Sequence, residues 1–269
     1  MFGPLYTSIK STKFITGFAQ AWIAYPNNLA FKKLSLLEKI RSRFKFFIKE
    51  LYFKKSDVLI VEAEHVRNAL QEKGYTNIFV VSNTISAVFS NKNLWEEISY
   101  VRSERFTLGF IGRNYAHKNL MILKSVNELL MDEDILCDFL FTLTPDEMRV
   151  AGFDTIKNFH TVGEISVNQC PSFYESIDAV IFPSLLECFS VTPIEAMVMN
   201  KILIASDLPF VTDVCKDSAY YFDPNDAVSI FNTIKGVMDN PTSNEAIINS
   251  AKEIVRDIPS ARGSRTKLS

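Results

Sequence analysis

The chain has 269 residues, of which 47% are hydrophobic and 12% aromatic, and its formal net charge is −2. This composition excludes an intrinsically disordered chain and supplies enough apolar surface for one or two globular domains. No apolar run reaches the roughly 18 residues of a spanning helix and no cleavable signal is recognisable, so we expect a cytoplasmic protein.

The first predicted element is an amphipathic helix in a strongly basic segment. Between Leu34 and Phe53, apolar side chains recur at helical spacing with cations between them, namely Leu36, Leu37, Ile40, Phe44, Phe47, Ile48 and Leu51. The favoured interpretation is a helix packed on a domain core with a solvated cationic face. The alternative is peripheral attachment of residues 32–55 to an anionic membrane surface. The segment lacks any recognised nucleic-acid-reading module, so no nucleic-acid partner is expected.

Alternating strand and helix patterns then predict two α/β regions. A strand at Asp57–Val61, a helix at Ala63–Lys73 and a strand at Asn77–Val81 form the closing part of a first domain, residues 1–85. Polar residues 86–103 are typical of a linker between domains. Strands and helices alternate again over residues 104–258, which predicts a second domain, and the polar residues 259–269 are expected to fray.

A basic turn follows the first strand of the second domain. The strand Phe106–Gly112 leads into Arg113 and, after four residues, Lys118, before a helix predicted from Asn119 to Leu130. An arginine fork and a lysine ammonium in such a turn can neutralise a diphosphate. Gly112 lets the backbone approach a ligand closely. The competing interpretation is a pair of solvated surface cations.

An acidic turn follows a later strand, Asp178–Phe182, and contains Glu187 in an apolar setting. Ligands of open α/β sheets collect beyond the carboxyl ends of the strands, which favours a functional role for Glu187. Thr192 is predicted as the N-cap of the next helix, with Pro193 at its first position, and that helix N-terminus would attract a phosphate. Glu195 fits either a ligand contact or a capping box with Thr192.

The two turns together resemble glycosyltransferase family 4. The similarity rests on the basic turn, on Pro183-Ser184, on the spacing from Glu187 to Glu195, and on Ile204-Ala-Ser-Asp207, and it extends from about Asp57 to about Met238. Enzymes of that family have the GT-B fold and transfer a sugar from a nucleotide donor with retention of configuration and no required metal. The resemblance implies an α/β, GT-B-like fold with a complete C-terminal Rossmann-like domain and a partial N-terminal Rossmann-like domain.

The resemblance also implies roles for individual residues. Arg113 and Lys118 would bind the donor diphosphate and stabilise its developing charge, and Glu187 would contact the sugar hydroxyls. Glu195 would accept hydrogen bonds from the ribose hydroxyls. Backbone groups complete the implied donor site, with amides that hold sugar and phosphate oxygens at Phe189, Ser190 and Val191 and a base-binding segment at Val162, Gly163 and Glu164.

Three departures from the family pattern qualify these expectations. Cys188 and Ser190 stand where glycines are usual, which would shift sugar specificity, and no glycine-rich turn follows the second strand near Phe139–Glu147. Fewer than about 90 residues precede the linker, whereas a complete acceptor domain needs on the order of 150. This shortfall is typical of a truncated reading frame or a fragment.

The resemblance therefore implies a hexosyltransferase that uses a UDP- or GDP-sugar and a lipid-linked saccharide acceptor in the synthesis of a cell-surface polysaccharide such as O-antigen or capsule. The alternatives are a catalytically incompetent donor-binding remnant or interaction subunit, and a sugar-nucleotide epimerase. No Gly-x-Gly-x-x-Gly follows a predicted strand, which argues against a nicotinamide-dependent enzyme. Four cysteines without CxxC spacing and three scattered histidines predict reduced thiols, no disulfide and no metal or other cofactor.

Overall fold

The computed structural model describes residues 12–257, so the predicted frayed tail at residues 259–269 lies outside the described residues. The chain divides into two compact units. Of the described residues, one unit contains 12–83 together with Leu185–Ser190, and the other contains Thr84–Ser184 and 191–257. No helix within residues 12–257 combines the length and apolar character needed to cross a bilayer.

The first unit is a small α/β structure built on a parallel sheet of three strands in the order β1-β2-β3. Its core contains Phe18, Phe53 and Val61, and the rings of Phe18 and Phe53 meet edge to face at 4.8 Å. Its elements are β1 Ile15–Gly17, α1 Ala21–Ala24, α2 Leu29–Lys33, α3 Leu36–Phe53, β2 Val58–Val61, α4 Glu64–Glu72 and β3 Ile78–Val80.

Helix α3 lies within the predicted segment Leu34–Phe53 but does not pack as the favoured interpretation requires. Ser35 caps the helix, since its side chain accepts from the N–H of Glu38 while the Glu38 carboxylate accepts from the N–H of Ser35. The seven apolar residues predicted for a core-facing stripe are instead all exposed, and the only fully buried side chain of α3 is Phe53. That interpretation was wrong because periodicity shows which residues share a face, not which face meets the core.

The second unit is built on a six-stranded parallel sheet with the order β6-β5-β4-β7-β8-β9. Most of its strand residues are buried, as expected for strands covered on both faces. Its elements are β4 Phe106–Phe110, α5 Ile122–Asp132, β5 Cys137–Phe141, α6 Pro145–Ala151, β6 Phe159–Thr161, α7 Cys170–Glu175, β7 Ala179–Phe182, α8 Thr192–Val198, β8 Ile202–Ser206, α9 Pro209–Cys215, β9 Tyr220–Phe222, α10 Ala227–Asp239 and α11 Pro241–Asp257.

The strand order of this sheet reverses between β4 and β7. From β4 the chain adds β5 and β6 on one side, then returns to place β7 on the other side of β4 and continues outward through β8 and β9. This is the order of a Rossmann fold, in which ligands bind in the crevice at the reversal, beyond the carboxyl ends of the two central strands.

Residues 86–103, predicted as a linker, are bound to the second unit over much of their length. The Ser166 hydroxyl donates to the Glu96 carboxylate over 3.2 Å, and Lys92 pairs with Glu175 of α7 at 3.7 Å. At the end of the segment, Ser103 donates to the buried carboxylate of Asp138 over 2.6 Å. Polar side chains therefore tie the segment to the second unit, and its assignment as the linker between domains stays a prediction.

The four cysteines are free thiols, and Cys137, Cys188 and Cys215 are buried. Burial raises the pKa of every one of these thiols, to about 12 for Cys170 and Cys215. Among residues 12–257, no group of three or more histidine, cysteine, aspartate or glutamate side chains is arranged to hold a metal ion. The expectation of metal-independent chemistry stays a prediction.

Candidate functional site

The carboxyl ends of β4 and β7 define the candidate site. The two strands are adjacent and parallel, with Leu108 opposite Ala179 and Gly109 opposite Val180. The basic turn leaves the sheet from β4, and the segment that leads to Glu187 leaves it from β7. Both predicted functional segments therefore start side by side at the reversal of strand order, where an α/β sheet binds its ligand.

Gly112 is required at its position by the backbone. Its φ angle is +143°, a conformation that side-chain-bearing residues rarely adopt, and an added Cβ would lie 3.2 Å from the Phe110 ring. The Gly112 N–H donates to the hydroxyl of Thr142 over 2.9 Å, which joins the turn after β4 to the end of β5. The glycine therefore fixes the path of the basic turn whether or not a ligand approaches it.

Arg113 is held by two carboxylates on neighbouring elements. Its Nε lies 2.9 Å from Oε1 of Glu147 in the first turn of α6, and its terminal nitrogen lies 3.0 Å from Oε2 of Glu164, after β6. Burial alone would raise the pKa of Glu147. Hydrogen bonds from the Thr144 backbone, the Arg113 guanidinium and the Asn114 N–H outweigh that effect and lower the pKa to about 2.

Lys118 lies on the opposite flank of β4. Residues Ala116–Lys118 form a 3-10 helix, and Asn119 then adopts a left-handed conformation with φ of +59°. For this reason α5 begins at Ile122 and not at Asn119 as predicted. The Lys118 ammonium lies 5.4 Å from the centre of the Phe182 ring at the end of β7.

The two cations of the basic turn therefore diverge. Arg113 reaches towards the ends of β5 and β6, whereas Lys118 reaches the end of β7. Between them lies the carboxyl end of β4. A diphosphate bound at that point would have a planar guanidinium on one side and a lysine ammonium on the other, an arrangement suited to neutralising charge over two phosphate groups.

The acidic turn, Leu185–Ser190, is packed into the first unit. Leu185 and Leu186 join a small apolar cluster with Ala30, and the Nε2–H of His65 donates to the carbonyl of Cys188 over 2.9 Å. Glu187 is half-buried. After burial, the negative charges of Glu187 and Glu62 further raise the pKa of the Cys188 thiol. The convergence of Glu187 with Arg113 on one ligand stays a prediction, because the two residues belong to different units.

The prediction of Thr192 as an N-cap is wrong, and the capping box that was the alternative interpretation of Glu195 does not form. Helix α8 begins at Thr192, its N-cap is Val191 without a side-chain cap bond, and Pro193 is therefore at the second position. The Glu195 carboxylate instead accepts from the hydroxyl of Tyr174 over 2.8 Å. Burial raises the pKa of Glu195, and the Tyr174 hydrogen bond opposes that rise. The carboxylate is thus free of the cap and fixed in orientation by a buried phenol.

The segment predicted to read the base is partly engaged within the protein. The N–H of Val162 donates to the carbonyl of Phe141, and the N–H of Gly163 donates to the Thr161 hydroxyl over 3.0 Å. Gly163 has a φ of +74°, so it turns the chain sharply after β6. Both N–H groups donate hydrogen bonds within the protein. The backbone groups of Val162 and Gly163 that could contact a base are therefore their carbonyl oxygens.

Sequence reasoning missed two residues that position the predicted ones, Glu147 and Tyr174. Glu147 had a signal, because Thr144-Pro-Asp-Glu147 is a capping box that forms as the pattern indicates, and its carboxylate is thereby placed beside the end of β5. Tyr174 lies 21 residues before its partner Glu195, and nothing in the local pattern relates the two.

Residues 91–254 match the family model of the group 1 glycosyl transferases, and the chain belongs to that family. Among its relatives is the O-antigen chain mannosyltransferase RfbU of Salmonella typhimurium, 28% identical over 168 residues, which are 60% of this chain and 46% of RfbU. The chain thus spans about half the length of this curated relative.

Solved structures show the same architecture. TarM aligns with a TM-score of 0.69 at 17% identity, over 97% of this chain and 51% of TarM. Sucrose-phosphate synthase of Thermosynechococcus elongatus also gives 0.69, at 15% identity, over 93% of this chain and 64% of that protein. The predicted α/β fold of the GT-B glycosyltransferases is confirmed. That the N-terminal domain is partial stays a prediction.

Proposed function

We propose that this chain binds a nucleoside-diphosphate sugar and transfers its hexose, with retained configuration and without a metal, to a lipid-linked saccharide during synthesis of a cell-surface polysaccharide. Membership of the group 1 glycosyl transferases supports the reaction class. The relative named as an O-antigen chain mannosyltransferase supports the polysaccharide product and makes a mannosyl donor the first to be tested.

The observation that carries this proposal is the pair of cations on either side of the β4 carboxyl end. Arg113 and Lys118 flank the point where the strand order reverses, which is where a Rossmann sheet binds a diphosphate. Cleavage of the glycosidic bond leaves an additional negative charge on the nucleoside diphosphate. Cations already fixed around that leaving group stabilise the charge without reorganising, which is the main electrostatic contribution available here.

Arg113 and Lys118 form the proposed diphosphate clamp, and Glu164 modulates it through its ion pair with Arg113. Its side chain is 70% exposed, whereas Glu147 is 21% exposed and fixed by its role as a cap. An incoming diphosphate would displace the exposed Glu164 carboxylate from Arg113 and leave the bond to Glu147 in place. Glu147 would thus orient the guanidinium while Glu164 yields its position to the ligand.

Isothermal titration of the full chain with UDP, GDP and a mannosyl nucleotide tests the clamp. We expect Arg113→Ala and Lys118→Ala each to weaken binding of the preferred nucleotide by about tenfold or more, the value of one charge-assisted contact. Arg105→Ala and Lys235→Ala are matched controls, since Arg105 also pairs with a carboxylate and Lys235 also lies over a phenylalanine ring. If nucleotide binding stays equally tight in both Arg113→Ala and Lys118→Ala, the proposed diphosphate clamp is wrong.

A second experiment separates an active transferase from a donor-binding remnant. Under single-turnover conditions with a lipid-extracted acceptor pool, a transferase releases nucleoside diphosphate only when acceptor is present. A remnant binds the donor and releases none. An epimerase would convert free donor without any acceptor, so product analysis of the acceptor-free reaction distinguishes the third possibility.

A further inference from the structure

Helix α3 exposes a hydrophobic face of unusual extent for the surface of a folded unit. Seven of its apolar side chains have relative exposures between 39% and 74%: Leu36, Leu37, Ile40, Phe44, Phe47, Ile48 and Leu51. Contiguous apolar surface of this kind marks an interaction site, because single exposed apolar residues are common but clusters are not.

The helix has two faces that point in different directions. At about 100° per residue, these seven side chains fall within an arc of about 120°. The side chains that are buried or half-buried occupy a separate arc of about 100° on the other side of the helix: Lys39, Ser42, Phe46, Lys49, Glu50 and Phe53.

Contacts confirm that the second arc is the one that packs on the unit. Phe46 stacks on Trp22 at 5.7 Å, and Phe53 meets Phe18 at 4.8 Å. On the same face Glu50 pairs with Lys73 at 3.1 Å. Helix α3 is therefore anchored in the unit by one face, and the exposed apolar arc is not the side by which it folds.

The apolar arc has cationic borders. On the helical projection Arg41 and Lys45 adjoin one edge, and Arg43 adjoins the other. Residues 32–55 contain nine lysines and arginines and two glutamates. Both glutamates are engaged in the fold, Glu38 in the cap with Ser35 and Glu50 with Lys73, so the outward surface beside the apolar arc is positively charged.

We propose that α3 lies in the interfacial region of a membrane containing anionic lipid, with its apolar arc towards the acyl chains and its bordering cations among the headgroups. Leucine and phenylalanine on one face with lysine and arginine beside them is the arrangement of interfacial helices. Long cationic side chains at the borders reach the headgroup level while their methylene stems cover apolar surface. Charge argues against a second copy on this face, because two copies would bring like-charged borders together.

Flotation of the full chain with lipid vesicles tests this proposal. We expect partitioning onto phosphatidylglycerol-containing vesicles to exceed that onto pure phosphatidylcholine by about tenfold or more, and to fall with added salt, because each bordering cation contributes electrostatic attraction. Leu37→Glu combined with Phe44→Glu should reduce partitioning by at least about tenfold. Arg41→Gln combined with Lys45→Gln should remove most of the preference for anionic lipid.

Val150→Glu is the matched control, since Val150 is 83% exposed on α6 in the second unit. It should leave partitioning unchanged. All altered positions are exposed, so urea midpoints equal to that of the wild type would show that the variants fold. Equal binding to neutral and anionic vesicles, or binding that survives Leu37→Glu with Phe44→Glu, would overturn the proposal.

Light scattering tests whether the apolar arc instead binds a second copy of this chain. If the wild type is a dimer that the two glutamate substitutions convert to a monomer, and neither form floats with vesicles, the apolar arc joins two copies and the membrane proposal is wrong. The vesicles contain no saccharide acceptor and the assay needs no nucleotide, so a negative result here leaves the proposed transferase function untouched, and the reverse also holds.

Discussion

Glu147 performs two tasks with one carboxylate. Oε2 caps α6 by accepting from the backbone of Thr144, while Oε1 accepts from the Arg113 guanidinium and from the N–H of Asn114. A helix terminus and the basic turn are thereby fixed by the same side chain. The position of the proposed clamp thus depends on a residue that need not contact the ligand.

Replacing Glu147 with glutamine tests this dual role by its pH dependence. The pKa is lowered from 4.5 to about 2, so the carboxylate stabilises the fold above the unfolded-state pKa, and that contribution is lost as pH falls towards 2. We expect the Glu147→Gln variant to lose about 1–3 kcal/mol of unfolding free energy at pH 6. The difference from the wild type should shrink below pH 4.5.

Urea denaturation at pH 6, 4 and 3 measures this difference, with Asp146→Asn as the control. Asp146 lies in the same turn but forms only an exposed i,i+3 pair with Arg149. Its substitution should cost less than about 1 kcal/mol at every pH. A Glu147→Gln penalty that does not change with pH would show that the charge of Glu147 is not the stabilising feature.

At the scale of elements, the turn between β4 and α5 depends on Gly112. Gly112→Ala should lower the unfolding free energy by about 1–3 kcal/mol, because its φ of +143° is strained for any side chain and the new methyl group would lie 3.2 Å from the Phe110 ring. Gly236→Ala in α10 is the matched control. A Cβ there meets nothing within 4 Å, so alanine should be neutral or stabilising by up to about 1 kcal/mol. Equal urea midpoints for the two variants would contradict the argument.

The strands of the second unit were largely predictable because their sequences are continuous apolar runs. β7 lies within one residue of its predicted bounds, Asp178–Phe182, since a strand buried on both faces leaves no polar alternation to misread. The helix predicted at Ala63–Lys73 is α4, Glu64–Glu72, and Gly74 follows its C-cap with a φ of +82°. The local sequence was therefore enough to predict the bounds of an element whose surroundings depend on its own residues.

Prediction failed where a partner came from another element. Thr192 and Glu195 have the spacing of a capping box, yet the buried hydroxyl of Tyr174 binds the carboxylate instead. In α3 the helical spacing of the apolar residues was predicted correctly, but the face they form does not meet the core. The face that packs on the unit contains Phe46 and Phe53. The sequence located the basic and acidic turns but not Glu147, whose contact with Arg113 spans 34 residues.

At the scale of the whole molecule, each unit has its own core and its own tryptophan. Trp22 stacks on Phe46 in the first unit, and Trp95 donates to Val88 in the second. The first sheet has three strands and the second has six, so the second unit buries the larger apolar surface. Unfolding of this chain is not expected to be a single cooperative transition.

Single-tryptophan variants can follow the two units separately. In urea, fluorescence of the Trp95→Phe variant, which reports on Trp22, should change at a lower midpoint than that of Trp22→Phe, which reports on Trp95. A nucleotide that binds the second unit should raise the midpoint reported by Trp95 by mass action. Superimposable curves for both variants, with and without nucleotide, would show that the units unfold together.

The raised pKa values of the native thiols have a practical consequence for chemistry on this chain. Thiolates react with maleimides and thiols do not, so at neutral pH the four native cysteines are poor targets. A cysteine placed at an exposed position such as Asn93 would keep an ordinary reactivity. A fluorophore can therefore be attached at one chosen site while every natural sulfur atom stays in place.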